Sequence, residues 1–214
     1  RECGSVERHR ALVEIIKRKN LAATMNSQNV LVISEGKRKC NRYYETAYYF
    51  NKISKVTTAD IRNYAGTCFE DHQFFDHTLS CENLAVFPDK HFKCVVLNHV
   101  LTAIKNDLTA LREFNRILCD DGILLMTDGL RTGNTVLFDD TSGTMCCRLY
   151  GLNDVKTILS NFFESVQMER GHDSVLDMEI PTFICHKNSK RLDDKPIFGK
   201  TIGSTTEYKK NISY

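Results

Sequence analysis

The sequence predicts an α/β protein with a mostly parallel central sheet, helices on both of its faces and an antiparallel hairpin at one edge. Three observations carry this. Residues 29–34, 92–97 and 123–127 are short, continuous apolar runs, as strands buried on both faces require. Segments with helical apolar spacing alternate with them. Right-handed crossovers then place those helices on both faces of the sheet.

The elements follow in order. Residues 5–19 open on Ser5, close on basic residues and carry Val6, Leu12, Val13 and Ile16 at near-helical spacing, so they predict a helix. The first strand, 29–34, precedes a weaker helix over 37–50. A second strand runs from 54 to 59 and ends at Asp60. After a polar stretch to about residue 76, a short strand is expected near 78–82. The strand at 92–97 leads into an amphipathic helix over 105–118, striped by Leu108, Leu111, Phe114, Ile117 and Leu118. Asp120-Asp121-Gly122 reads as a turn before the strand at 123–127. A helix over 151–162 precedes strands at 163–169 and 180–186, which form the hairpin. Residues 1–186 make one domain on this reading. Residues 187–214 hold seven Lys or Arg against three acids and read as a basic, partly disordered tail.

Composition narrows the function. With 29 basic and 27 acidic side chains, the formal charge is only +2, too balanced for nucleic acid as a bulk electrostatic partner. No apolar run approaches the roughly 20 residues of a membrane helix, and the start at Arg1 has no signal-peptide pattern. The missing initiator Met reads as a fragment or a processed form. The nine cysteines are odd in number and contain no C-x-x-C pair, which leaves a metal centre unsupported. Free thiols in a reducing, cytoplasmic setting are expected, with a partly disulfide-bonded secreted protein as the rival. Cys94, Cys119 and Cys185 read as small core residues, and Cys146-Cys147 as packing residues.

In an open parallel sheet, ligands bind beyond the carboxyl ends of the strands. Those ends are Ser34-Glu35-Gly36, Asp60, Glu82-Asn83, Asn98-His99 and Asp128-Gly129. Asp60 reads either as the acid that accepts both hydroxyls of a ribose or as a local cap. The single glycine at Gly36 argues against the Gly-rich fingerprint of a dinucleotide oxidoreductase.

Residues 87–101 resemble the segment around the fourth strand of class I S-adenosylmethionine-dependent methyltransferases, "pF-pD-x-sFD-x-v-x-x-x-hvLeH". Residues 106–122 are similar to that family's "D-x-x-x-a-l-x-E-x-x-R-v-L-k-p-g-G". Cys3-Gly4-Ser5-Val6-Glu7-Arg8-His9-Arg10 and Arg148-Leu149-Tyr150-Gly151 with Asp154 resemble parts of a type 11-like subgroup that has a glycine-poor first motif. The resemblance implies a Rossmann-like methyltransferase fold, S-adenosylmethionine as cofactor and a small-molecule acceptor. It places Ser34, Glu35 and Gly36 by the methionine part, Asp60 at the ribose, Glu82 or Asn83 near the adenine amino group, and Asn98 and His99 under the sulfonium.

His99 is the candidate general base, because an unperturbed imidazole titrates near pH 6.5; its other reading is a strand-end residue packed on the ribose. Tyr150 and Asp154 are second candidates on the acceptor side, with Tyr150 equally a packed aromatic. His9 and Arg10 read as a lid or as a solvated helix face. The chain departs from the pattern where Lys93 replaces an acid, where Thr102-Ala103 replaces Glu-His, and where Cys146 falls near an expected His. These departures support an alternative, a catalytically inactive methyltransferase-fold protein acting as a binding or interaction module. A nucleotide-sugar or nicotinamide enzyme is the third reading.

Overall fold

The computed structural model describes residues 6–34, 46–61, 75–138, 146–173 and 177–187. In chain order the elements are α1 (Val6–Arg18), α2 (Leu21–Met25), β1 (Asn29–Ile33), α3 (Thr46–Asn51), β2 (Lys55–Asp60), β3 (His77–Thr78) and β4 (Phe92–Asn98). A 3-10 turn (Leu101–Ala103), α4 (Asp107–Ile117), β5 (Leu118–Thr127), β6 (Leu130–Arg131), β7 (Val136–Leu137), β8 (Arg148–Gly151), α5 (Leu152–Phe162), β9 (Phe163–Asp173) and β10 (Met178–Lys187) follow.

Seven strands form one sheet in the order β3-β2-β1-β4-β5-β10-β9. The five strands from β3 to β5 are parallel, and β10 runs antiparallel to both β5 and β9. The apolar runs do what their composition requires. Leu31 and Ile33 of β1 and Val95 and Leu97 of β4 join a core layer with Leu111 and Phe114 of α4 and Val155 and Leu159 of α5. The intervening Val30, Val32, Cys94 and Val96 join the opposite layer, with Leu12, Ile15 and Ile16 of α1 and Phe50 of α3. Alternate side chains thus meet helices on the two faces, the period-2 geometry of a doubly covered strand.

Chain order reverses between β1 and β4, so the crevice for a ligand lies at the carboxyl ends of those strands. A small second sheet, β6-β8-β7, stands beyond the end of β5. Asp154 at the start of α5 braces it, accepting from the Thr135 backbone N–H at 2.7 Å and from its hydroxyl at 2.6 Å.

Several sequence expectations shift. Of the helix at 37–50, residues 46–50 are helical and 37–45 lie outside the described residues. The strand near 78–82 is the two-residue β3, since residues 79–82 turn away from the sheet. Asp120-Asp121-Gly122 is a bulge inside β5: pairing jumps from Phe92 with Leu118 to Cys94 with Ile123. A Cβ on Gly122 would sit 2.8 Å from the Cys119 carbonyl, so the bulge closes only around glycine. Cys94 and Cys185 are core residues, but Cys119 is part-exposed, its thiol 3.2 Å from the Lys90 carbonyl. The tail beyond residue 187 lies outside the described residues. Among the described residues, no helix is long and apolar enough to cross a membrane.

Candidate active site

Two strand ends are built alike. Ser34 follows β1 with φ 66°, and its N–H donates to the Ala59 carbonyl at 2.8 Å. His99 follows β4 with φ 60°, and its N–H donates to the Thr127 carbonyl at 2.8 Å. In each case the next residue on the accepting strand is a buried aspartate. The Ser34 hydroxyl donates to Asp60 Oδ2 at 3.0 Å, and His99 Nε2 lies 3.8 Å from Asp128 Oδ1. Left-handed backbone at a residue other than glycine costs about 1 kcal/mol or more. Here it aims a polar side chain back at an acid on the neighbouring strand, on each side of the switch in strand order.

Asp128 is sealed, with none of its side chain exposed. Its Oδ1 accepts from the Thr102 hydroxyl and the Gly129 N–H, both at 2.8 Å, and its Oδ2 from the Thr102 N–H at 3.0 Å. Burial pushes its carboxyl above the ordinary range, while His99 and these donors pull it back. The side chain of His99 is 35% exposed. Burial lowers its pKa, Asp128 raises it and the charge of Arg8 lowers it again. The imidazole is therefore neutral at neutral pH and open to a ligand on one side.

Beneath this pair runs a buried polar chain. Thr127 Oγ1 donates to Asn98 Oδ1 at 2.6 Å, and Asn98 Nδ2 donates to His9 Nδ1 at 2.9 Å. His9 Nδ1 also faces Thr46 Oγ1 at 3.1 Å. Asn98 thus ties α1 and α3 to the ends of β4 and β5 rather than lying open. His9 is buried, and Arg10 makes a bidentate pair with Asp173 at 2.7 and 2.5 Å, so neither is a solvated helix face. His9 stands three residues before Leu12 and seven before Ile16, on the apolar stripe itself, a signal readable in the sequence.

The other predicted residues have these partners. Glu82 Oε1 accepts from the Asn106 N–H at 3.0 Å, at the start of α4, and Asn83 Oδ1 accepts from the Ala85 N–H at 3.2 Å within its own turn. Cys81 feels the charges of both Asp60 and Glu82; burial first, then those two carboxylates, push its thiol up to about 12. Glu35 and Gly36 lie outside the described residues. Tyr150 is fully buried, donating to Asp107 and accepting from Arg148 Nη1 at 3.1 Å; the packed aromatic describes it. From sequence, Asp128 is named as a strand end, Thr102 as a departure from the family pattern and Arg8 as part of a motif, but none has a site role. Asp128 carried the same signal as Asp60, an acid closing a buried strand. Among the described residues no group of three or more His, Cys, Asp or Glu can hold a metal ion.

The sheet β3-β2-β1-β4-β5-β10-β9, with only β10 reversed, belongs to a fold shared with solved methyltransferases. The 1,6-didemethyltoxoflavin-N1-methyltransferase of Burkholderia thailandensis, solved with 1,6-didemethyltoxoflavin and S-adenosylhomocysteine, superposes with a TM-score of 0.60 at 15% identity, over 87% of this chain and 80% of that one. The chain has the class I methyltransferase fold. The N-methyltransferase NodS of Bradyrhizobium japonicum, in complex with S-adenosylhomocysteine, gives 0.54 at 16% identity over 87% and 89%. An S-adenosylmethionine-dependent methyltransferase of Archaeoglobus fulgidus gives 0.56 at 14% over 83% and 94%. Residues 40–126 match the family model described as a methyltransferase domain. No curated protein matches the chain. Ser34-Asp60 and His99-Asp128 stand at the strand ends on the two sides of the switch in strand order.

Proposed function

We propose that the protein transfers a methyl group from S-adenosylmethionine to a small-molecule acceptor. The observation that carries this reading is the pair of matched strand ends, Ser34-Asp60 and His99-Asp128, on the two sides of the crevice of a class I methyltransferase fold. The residues fit the cofactor. A carboxylate has about four acceptor positions, so Asp60 can hold Ser34 and ribose hydroxyls together. When bound, S-adenosylmethionine supplies an activated methyl group on a sulfonium.

The chain's own work is orientation and proton handling. Asp60 and Ser34 set the position of the ribose, and the ends of β4 and β5 set that of the acceptor. His99, neutral at neutral pH, takes the proton from an acceptor oxygen or nitrogen on its open side as the methyl group is transferred. Asp128, fixed by Thr102, stabilises the imidazolium that results.

The departures from the family pattern also support a working enzyme. Lys93 pairs with Asp121 and Lys90 with Asp120 at 2.8 Å, both at the opposite end of the sheet. Thr102 is the residue that holds Asp128.

Calorimetric titration with S-adenosylhomocysteine tests the cofactor half. Micromolar binding is expected, and Asp60→Ala should weaken it about tenfold, roughly 1.4 kcal/mol. Absence of binding by folded wild-type protein would refute the reading.

A further inference from the structure

Helix α1 carries a cation to the strand ends that no described carboxylate pairs with. The His9–Asn98 hydrogen bond, 2.9 Å long, sets residues 8 and 9 beside residues 98 and 99, and the charge of Arg8 is felt at His99. Arg8 is part-buried, and its Nη1 is shut off from solvent without a hydrogen-bond partner among the described residues. A guanidinium is always charged and offers five N–H donors, so a buried, unbonded one is a standing cost. Among the described residues, the carboxylates at this end of the sheet have other partners: Asp128 bonds Thr102 and Gly129, Asp173 bonds Arg10, and Asp60 bonds Ser34. None of the ion pairs among the described residues includes Arg8.

We propose that Arg8 anchors an anionic group of a ligand, a carboxylate or a phosphate, bound beside His99 over the carboxyl end of β4. Planar, bidentate recognition of such oxyanions is what arginine does best. The inference rests on the methyltransferase reading only for what the anion belongs to: the amino-acid carboxylate of the cofactor, or an acidic acceptor. Either way the anion has a second effect. It offsets the charge by which Arg8 depresses His99, so the imidazole becomes a stronger base when the ligand is in place, against the fixed influence of Asp128.

The test titrates wild type and Arg8→Met with S-adenosylhomocysteine, with 5′-methylthioadenosine, which lacks the amino-acid part, and with benzoate and inorganic phosphate, each with and without S-adenosylhomocysteine. If the anion is the cofactor's, Arg8→Met weakens S-adenosylhomocysteine about tenfold or more and leaves 5′-methylthioadenosine unchanged. If it is the acceptor's, S-adenosylhomocysteine is unaffected. Benzoate or phosphate then binds wild type alone and raises the NMR titration midpoint of His99 there alone.

Identical binding of all four by both proteins overturns the proposal. Loss of nucleoside binding by wild type with an Arg8-dependent benzoate or phosphate site would refute the methyltransferase reading and leave the anion site standing. A folded wild type that binds none of the four refutes both. The unfolding midpoint separates a purely structural role: a ligand anchor left unpaired should give Arg8→Met a midpoint at or above wild type, whereas a clear fall would make Arg8 a packing residue.

Discussion

Asp107 and Asp128 are both buried carboxylates that burial pushes above the ordinary range, and they do different work. Asp107 sits in a closed cluster. It accepts from the Tyr150 hydroxyl and pairs with Arg148 at 2.8 Å, and Arg148 also donates to the Lys105 carbonyl at 2.7 Å. All three side chains are almost wholly shielded from solvent. Asp128 is equally sealed, but its titratable neighbour, His99, is open on one side and stands too far off for a hydrogen bond. A buried acid is thus no mark of a site. The mark is a buried acid whose titratable partner is left reachable and incompletely bonded.

Five substitutions break or sharpen this contrast. Asp107→Asn has the largest expected effect, because it strands Arg148 in the interior. Removal of one member of a buried ion pair costs about 3–5 kcal/mol, read as a fall in the denaturant midpoint. The folded fraction should still bind S-adenosylhomocysteine with wild-type affinity. His99→Asn inverts the pattern. Asn tolerates the left-handed backbone at this position, so the unfolding midpoint should stay near wild type while methyl transfer drops about 100-fold, roughly 2.7 kcal/mol.

The pH profile refines the second case. Only neutral His99 accepts a proton, and its pKa lies below the ordinary imidazole value because of burial. Activity should therefore rise with pH through a midpoint below about 6.5. Asp128→Asn removes the charge that raises the His99 pKa, so the midpoint should move lower still. An upward move would sever the two residues. The smallest effect belongs to Lys93 and Asp121, whose pair lies at the opposite end of the sheet with Asp121 80% exposed. A double-mutant cycle to alanine should return about 0.2–1 kcal/mol and leave activity untouched.

Much of the fold was legible because its central strands are buried on both faces. β1, β4 and the second half of β5 are apolar over most of their length, and the stripe of α4 repeats at helical spacing. β3 has two residues and no such run, so its position could not be read closely. The bulge at residues 119–122 looked like a turn because Asp-Asp-Gly is turn chemistry, and only pairing with β4 reveals that the strand resumes through it. At the site, Asp60 was readable as an acid at a strand end. Tyr150 was drawn toward the acceptor side by a motif of local neighbours, whereas its place is fixed by Asp107, 43 residues earlier in the chain. Arg8 was given no role, since its distinguishing property is a buried Nη1 without a hydrogen-bond partner among the described residues, and that exists only in three dimensions.

Helix α1 lies along the edge strand β9. Gly171 approaches so closely that an added Cβ would stand 2.5 Å from the Ala11 carbonyl, and Arg10 grips Asp173 across 163 residues of sequence. The helix is therefore held by strands that leave the ribosome long after it. Until they do, Arg10 has no Asp173 to meet. The hairpin fastens α1, α1 carries His9 and Arg8, and His9 is bonded to the end of β4. A chain that stops short of the hairpin lacks the latch that holds α1 over that strand end.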